Sequence, residues 1–179
     1  MEVTCEPNPC ASLSGPRVLI TETAAADCSY TAEATCTVSG LAQATIQFNG
    51  APPNVAFPQT LTCNSGTGQY TYLMGGVPTV VNSIECICGP NSCGWTFSGG
   101  ATLNPPQGVG APINPPDMNC IYTLQAECTP ATKTMITFGP PPLETFMVPK
   151  MITCPAGYTG YLYITNGGTE SEIFGANCP

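Results

Sequence analysis

Twelve cysteines in a chain of 179 residues are the first residues here whose type and spacing could do chemistry. A cysteine thiolate serves as a nucleophile, a metal ligand or one half of a disulfide. The chain has no histidine, so the usual base of serine and cysteine nucleophile systems is missing. No Cys-x2-Cys pair occurs either, and a mixed zinc site has no imidazole to complete it. An even count at regular spacings suits full pairing in an oxidising, extracellular compartment. The expected framework is Cys5, Cys10, Cys28, Cys36, Cys63 and Cys86, followed by Cys88, Cys93, Cys120, Cys128, Cys154 and Cys178.

Carboxylates are the other candidates for chemistry, as acid and base pairs. Glu170 and Glu172 are the nearest pair, and Glu6 lies inside the Cys5–Cys10 loop. Glu6 is replaced by Gly89 at the corresponding place further along the chain, which marks it as an ordinary surface residue. Glu170 and Glu172 read as solvated charge, and the aspartate-rich spacing of calcium loops is absent. No catalytic residue, metal site or cofactor is expected, and the chain reads as something other than an enzyme. Tyr70, Tyr72, Tyr161 and Tyr163 raise the question of sugar stacking, but aromatics at such repeated positions read as core. Trp95 and Phe97 have no counterparts in the first half of the chain. With Pro105, Pro106, Pro115 and Pro116 they form the candidate contact surface.

The cysteine steps reveal what positions these residues. They run 5, 18, 8, 27 and 23 in the first six cysteines, and 5, 27, 8, 26 and 24 in the second six. The odd step contains a Pro/Gly-rich insertion over 104–116. Cys5-Glu-Pro-Asn-Pro-Cys10 matches Cys88-Gly-Pro-Asn-Ser-Cys93, and Cys28-x-Tyr-Thr matches Cys120-x-Tyr-Thr. Ile46-Gln-Phe48 matches Ile136-Thr-Phe138, and Tyr70-Thr-Tyr72 matches Tyr161-Leu-Tyr163. The chain is a duplication, with domains expected at 1–87 and 88–179.

Each copy reads as short strands. Between Cys28 and Cys36 one parity holds Tyr30, Ala32 and Ala34 and the other Ser29, Thr31, Glu33 and Thr35, the alternation of a half-buried strand. Further strands are expected at 44–48, 59–63, 69–73 and 80–86, and in copy two at 134–138, 150–154, 161–164 and 172–178. Turn signals separate them at Asn49-Gly-Ala-Pro-Pro53, Asn64-Ser-Gly66, Gly75-Gly76 and Asn166-Gly-Gly168. With 19 glycines and 20 prolines, long helices are disfavoured. The expected fold class is all-β: two tandem, small, disulfide-stapled β-sandwich domains of immunoglobulin-like size. A domain this small buries only about 60–65 per cent of its unfolded surface. Disulfides at about 2–4 kcal/mol each make up the difference. Cys28 and Cys36, eight residues apart on one strand, are roughly 26 Å apart. A disulfide needs α-carbons within about 7 Å, so those two do not bond to each other, nor do Cys120 and Cys128. The remaining connectivities stay open.

These elements resemble the six-cysteine extracellular domain expanded in nematodes. The resemblance rests on Cys5 and Cys10, on Cys28 and Cys36, on Ile46 to Asn49, on Leu61-Thr-Cys63, on Tyr70 to Tyr72 and on Ile84-Glu-Cys86. Copy two departs from it at Gly139 after Phe138 and at Asn177 before Cys178. It implies a secreted module with three disulfides per copy and brings no activity with it.

Charge narrows the partners. The net charge is −8, with only Arg17, Lys133 and Lys150 as cations, which leaves no footprint for nucleic acid. No apolar run approaches the roughly 20 residues of a membrane helix. Residues 1–5 lack the basic and apolar stretches of a signal peptide, so either a leader has been removed or the chain is a segment of something longer. Only Ile87 separates the two copies, and such a junction is expected to hold them as a stiff rod. The chain's ends repeat the pattern of that junction, as expected of a unit that stacks. Two lysines in 179 residues leave strand edges without their usual guard. The function these features point to is an extracellular structural protein, a matrix or filament subunit associating with itself head to tail through strand edges or proline-rich segments. The segments 11–27 and 94–119, the least strand-like of each copy, are the expected contributors. The competing expectation is a monomeric adhesion module binding an extracellular glycan or protein.

Overall fold

A computed structural model describes residues 5–38, 40–94, 98–104, 115–139 and 142–179. Among these residues there are sixteen strands and no helix. The chain divides into two compact units, Met1–Val38 with Ala44–Cys88, and Ser39–Gln43 with Gly89–Pro179.

The first unit contains β1 (Val18–Ala24), β2 (Tyr30–Cys36), β3 (Ala44–Phe48), β4 (Ala51–Val55), β5 (Gln59–Asn64), β6 (Gln69–Met74), β7 (Val77–Val80) and β8 (Ile84–Cys88). They form a five-stranded antiparallel sheet, β1-β2-β5-β6-β7, and a three-stranded sheet, β4-β3-β8. Ala32, Ala34 and Leu61 from the first sheet and Ile46, Phe48 and Ile84 from the second share one buried core. That is a two-layer sandwich, and the alternation read in the sequence decides which side chains enter it. The immunoglobulin arrangement shares the neighbours 1-2-5. Here a β5-β6-β7 meander is added before the chain returns to the second sheet beside β3.

The second unit contains β9 (Ala101–Asn104), β10 (Ile121–Cys128), β11 (Met135–Gly139), β12 (Glu144–Met147), β13 (Lys150–Pro155), β14 (Leu162–Ile164), β15 (Glu170–Glu172) and β16 (Gly175–Asn177). Its sheets, β9-β10-β13-β14-β15 and β12-β11-β16, repeat the first topology strand for strand. Leu124, Ile136, Phe138, Ile152, Tyr161 and Tyr163 build its core. Residues 40–43 also pack in this unit, where Gln43 N donates to Ala156 O and Gly89 N donates to Gln43 O.

Four sequence expectations need correction. The segments 11–27 and 94–119 each contain a strand that was not expected there. They hold β1, paired with β2 from Val18↔Cys36 to Ala24↔Tyr30, and β9, paired with β10. The stretch 80–86 is not one strand. Val80 ends β7 in the five-stranded sheet and Ile84 opens β8 in the other. Asn49 holds the crossing: its side chain donates to Val80 O and accepts from Asn82 N and Ser83 N. Expected strand 172–178 likewise divides into β15 and β16. Finally, Ala51 to Pro53 open β4 instead of closing a turn. Two prolines are tolerated there because β4 ends its sheet, where amides need no partner.

Two close approaches fix the segment before β1. A side chain on Gly15 would put its Cβ 1.7 Å from Ile84 O. That proximity lets Cys86 N donate to Pro16 O at 3.1 Å, covering the outer side of β8. Copy two repeats the device at Ser98, whose N and Oγ both donate to Ala176 O on β16.

Candidate interaction surface and disulfide framework

Five disulfides are Cys5–Cys28, Cys10–Cys63, Cys36–Cys86, Cys93–Cys154 and Cys128–Cys178. Cys88 and Cys120 are disulfide-bonded as well, and no cysteine is free. Cys36–Cys86 and Cys128–Cys178 are equivalent bonds, each stapling the five-stranded sheet to the three-stranded one with a sequence separation of 50. Cys10–Cys63 and Cys93–Cys154 pin the amino-terminal loop of each copy to the strand that continues into the meander. Cys28 and Cys120 both sit just before their strands at φ 61. The backbone reverses there, which adds a second reason why neither bonds to the cysteine eight residues on.

A tyrosine network supports this framework in both copies. Tyr30 OH donates to Glu6 O, and Tyr122 OH donates to Gly89 O at 2.9 Å. Glu6 is thus used through its backbone, which any residue can supply, and a glycine stands at the equivalent place. Tyr70, Tyr161 and Tyr163 are buried, and Tyr72 stacks on Phe48 with ring centroids 4.1 Å apart. Tyr70, Tyr161 and Tyr163 are core, while Tyr72 is half-buried, with one face against Phe48. Asn8 Nδ2 donates to Tyr70 OH at 2.7 Å, and Tyr161 OH donates to Cys93 O at 3.1 Å. Burial pushes the Tyr70 phenol up against the opposing effect of Asn8, and pushes Tyr161 up to about 12.

The acidic residues do local structural work. Glu170 and Glu172 fall on one face of β15, and Tyr158 OH donates to Glu172 at 3.0 Å, which raises the Tyr158 pKa. Asp27 accepts from Ser29 Oγ and N, and those bonds hold its carboxyl below the ordinary value. Among the described residues, no three potential ligands cluster as a metal site would require.

What remains for intermolecular contact is edges and exposed apolar side chains. β1 and β7 end one large sheet, and β9 and β15 end the other. None of these strands carries a lysine or arginine. Lys133 Nζ donates to Gly99 O and Cys178 O, and Lys150 sits 4.0 Å over the Phe146 ring, so both lysines are engaged inside their own unit. Of the residues singled out in sequence, Pro115 is exposed and Pro116 half-buried, while Trp95, Phe97, Pro105 and Pro106 lie outside the described residues. The edge at Val18–Ala24 was missed in sequence, where Leu19 beside Val18 and Ile20 blurs the alternation of a half-buried strand.

No helix among the described residues is long and apolar enough to cross a membrane. The chain matches no family model, and no curated protein or solved structure matches it. The six-cysteine resemblance therefore stands on cysteine spacing and short motifs alone.

Proposed function

We propose that this is an extracellular structural subunit that associates with itself, built from two disulfide-stapled sandwiches of one design. The single observation that carries the reading is the edge strand β1. It is seven residues long, terminal in its sheet and free of basic residues. Proteins that stay apart blunt such edges with lysine, proline or bulges; β1 has none of these and a single charge, Glu22, which accepts from Asn8 Nδ2 within its own unit. An unguarded edge pairs with another chain through backbone hydrogen bonds that ask little of the side chains. The twelve bonded cysteines support an extracellular setting, because disulfides persist in oxidising compartments.

Light scattering and negative-stain microscopy of the oxidised chain, from dilute to millimolar concentration, test this directly. Concentration-dependent growth into open-ended polymers is the expected result. A monodisperse monomer across the whole range refutes the reading and favours a monomeric adhesion module.

A further inference from the structure

Asparagine followed by glycine occurs twice in the chain, at Asn49-Gly50 and Asn166-Gly167. Such a pair carries a reaction of its own in water. The glycine amide nitrogen attacks the asparagine side-chain carbon Cγ, a five-membered imide closes, and ammonia leaves. Water then opens one imide carbonyl, giving aspartate if it attacks one and isoaspartate if it attacks the other. One water is consumed and one ammonia released, with no change of oxidation state. Glycine permits the attack because no Cβ obstructs its nitrogen. The attack needs rotation about the asparagine ψ, a glycine N–H without an acceptor and a side-chain amide that is not held.

The fold withholds these conditions from Asn49. Asn49 and Gly50 are the central residues of the two-residue turn between β3 and β4, beside the pair Phe48↔Ala51, and both have positive φ, 56 and 63. A turn of that kind fixes ψ as well. The side chain is held at three points: Nδ2 donates to Val80 O at 2.8 Å, and Oδ1 accepts from Asn82 N at 2.7 Å and from Ser83 N at 3.2 Å. These bonds must break before Cγ turns towards Gly50 N.

Asn166-Gly167 has the opposite surroundings. Both residues are exposed at the tip between β14 and β15. They are the central residues of a turn closed by Gly168 N, which donates to Thr165 O at 3.0 Å, and neither has a positive φ. The peptide that joins them can turn over without breaking that bond. The turned-over form, type II, needs a positive φ at the second central residue, and that residue is Gly167. Among the described residues, nothing hydrogen-bonds the Asn166 side-chain amide or Gly167 N.

We infer that Asn166-Gly167 is a site of spontaneous modification, converting to aspartate and isoaspartate in the folded chain while Asn49-Gly50 is preserved. Either product makes the net charge of −8 one unit more negative. The new carboxylate stands on the residue whose N–H donates to Glu144 at 3.0 Å, and isoaspartate also adds a methylene to the backbone of the tip. That tip leads into β15, which ends its sheet. Charge beside an edge strand discourages pairing with another chain, so the modification guards an edge that the unmodified chain leaves neutral at its tip.

The full oxidised chain, incubated at mildly alkaline pH in water enriched in heavy oxygen, tests this. Peptide mapping by mass spectrometry reads the heavy oxygen gained at each asparagine, and enzymatic methylation reads isoaspartate. Asn166 should convert at least about tenfold faster than Asn49, because three side-chain bonds must be released at Asn49 alone. The reduced, unfolded chain should react at both positions at similar rates. Gly167→Ala places a Cβ whose nearest neighbour is Thr165 Oγ1 at 3.7 Å. It should slow conversion at Asn166 several-fold and leave the melting temperature unchanged. Equal rates at Asn49 and Asn166 in the folded chain overturn the inference, as does an unreacted Asn166 under conditions where the unfolded chain reacts. A Gly167→Ala chain that converts as fast as the parent overturns the route through Gly167 N.

Discussion

Replacing Cys36 and Cys86 by alanine removes the bond that joins the two sheets of the first unit, and its cost follows from the structure. The bond closes a loop with a sequence separation of 50. The chain-entropy relation then puts the loss at about 4 kcal/mol. Both cysteines are buried, Cys86 completely, so the missing sulfurs also leave a small void that adds to this figure. A unit of this size is stable by roughly 5–13 kcal/mol, and a loss of 4 kcal/mol lowers its Tm by roughly 15–30 °C. The equivalent bond, Cys128–Cys178, has the same separation, so its removal should cost the second unit a similar amount. Cys5–Cys28 provides the contrast. Its separation is 23, for which the same relation gives about 3.5 kcal/mol, and its cysteines are only half-buried. Scanning calorimetry on the three double-alanine variants, with denaturant unfolding as a second measure, reads these differences. If Cys36→Ala/Cys86→Ala costs under about 1 kcal/mol, or less than Cys5→Ala/Cys28→Ala, the inter-sheet bond is not the staple this reasoning makes it.

Further expectations concern the backbone and one phenol. Gly15→Ala forces its Cβ against Ile84 O and breaks the Cys86 N to Pro16 O bond; unfolding of the first unit should come about 2–3 kcal/mol earlier. Arg17 and Gly100 are equivalent left-handed positions, at φ 61 and 85, whose carbonyls accept from Thr37 N and Thr129 N. Arg17→Gly should therefore be neutral or stabilising by up to about 1 kcal/mol. Gly100→Ala places a Cβ 2.1 Å from Thr129 O and should destabilise by more than that on a denaturant curve. Tyr161 is an acid whose folded pKa is raised to about 12 from 10.0. Above pH 10 the unfolded chain loses this proton while the folded one keeps it, so stability should fall between pH 10 and 12. Tyr161→Phe should flatten that fall, which alkaline titration followed by circular dichroism would show.

The repeat was legible in the sequence because a duplication leaves the same steps between cysteines and the same Tyr-x-Tyr and Ile-x-Phe pairs in both copies. Period-two alternation then placed β2, β3, β5 and β6 to within two residues of their ends, since each buries one face against a common core. The absence of bonding between Cys28 and Cys36 also followed from strand rise alone. Which cysteines do bond was a tertiary decision. Cys36 and Cys86 meet only because β2 and β8 lie in opposite sheets, and no local pattern records which sheet a strand joins. The run from Val80 to Cys86 makes the same point: its alternation continues in the sequence, yet the chain changes sheets at Asn82 and Ser83, held by Asn49, 33 residues before Asn82. β1 escaped notice because both of its parities hold apolar residues with threonine among them, and only its pairing with β2 makes it a strand. The pairing of Gly139 with Gly175 on copy two lay deepest. These glycines, thirty-six residues apart, fall opposite each other in register, and register is set by the packing of the whole sheet.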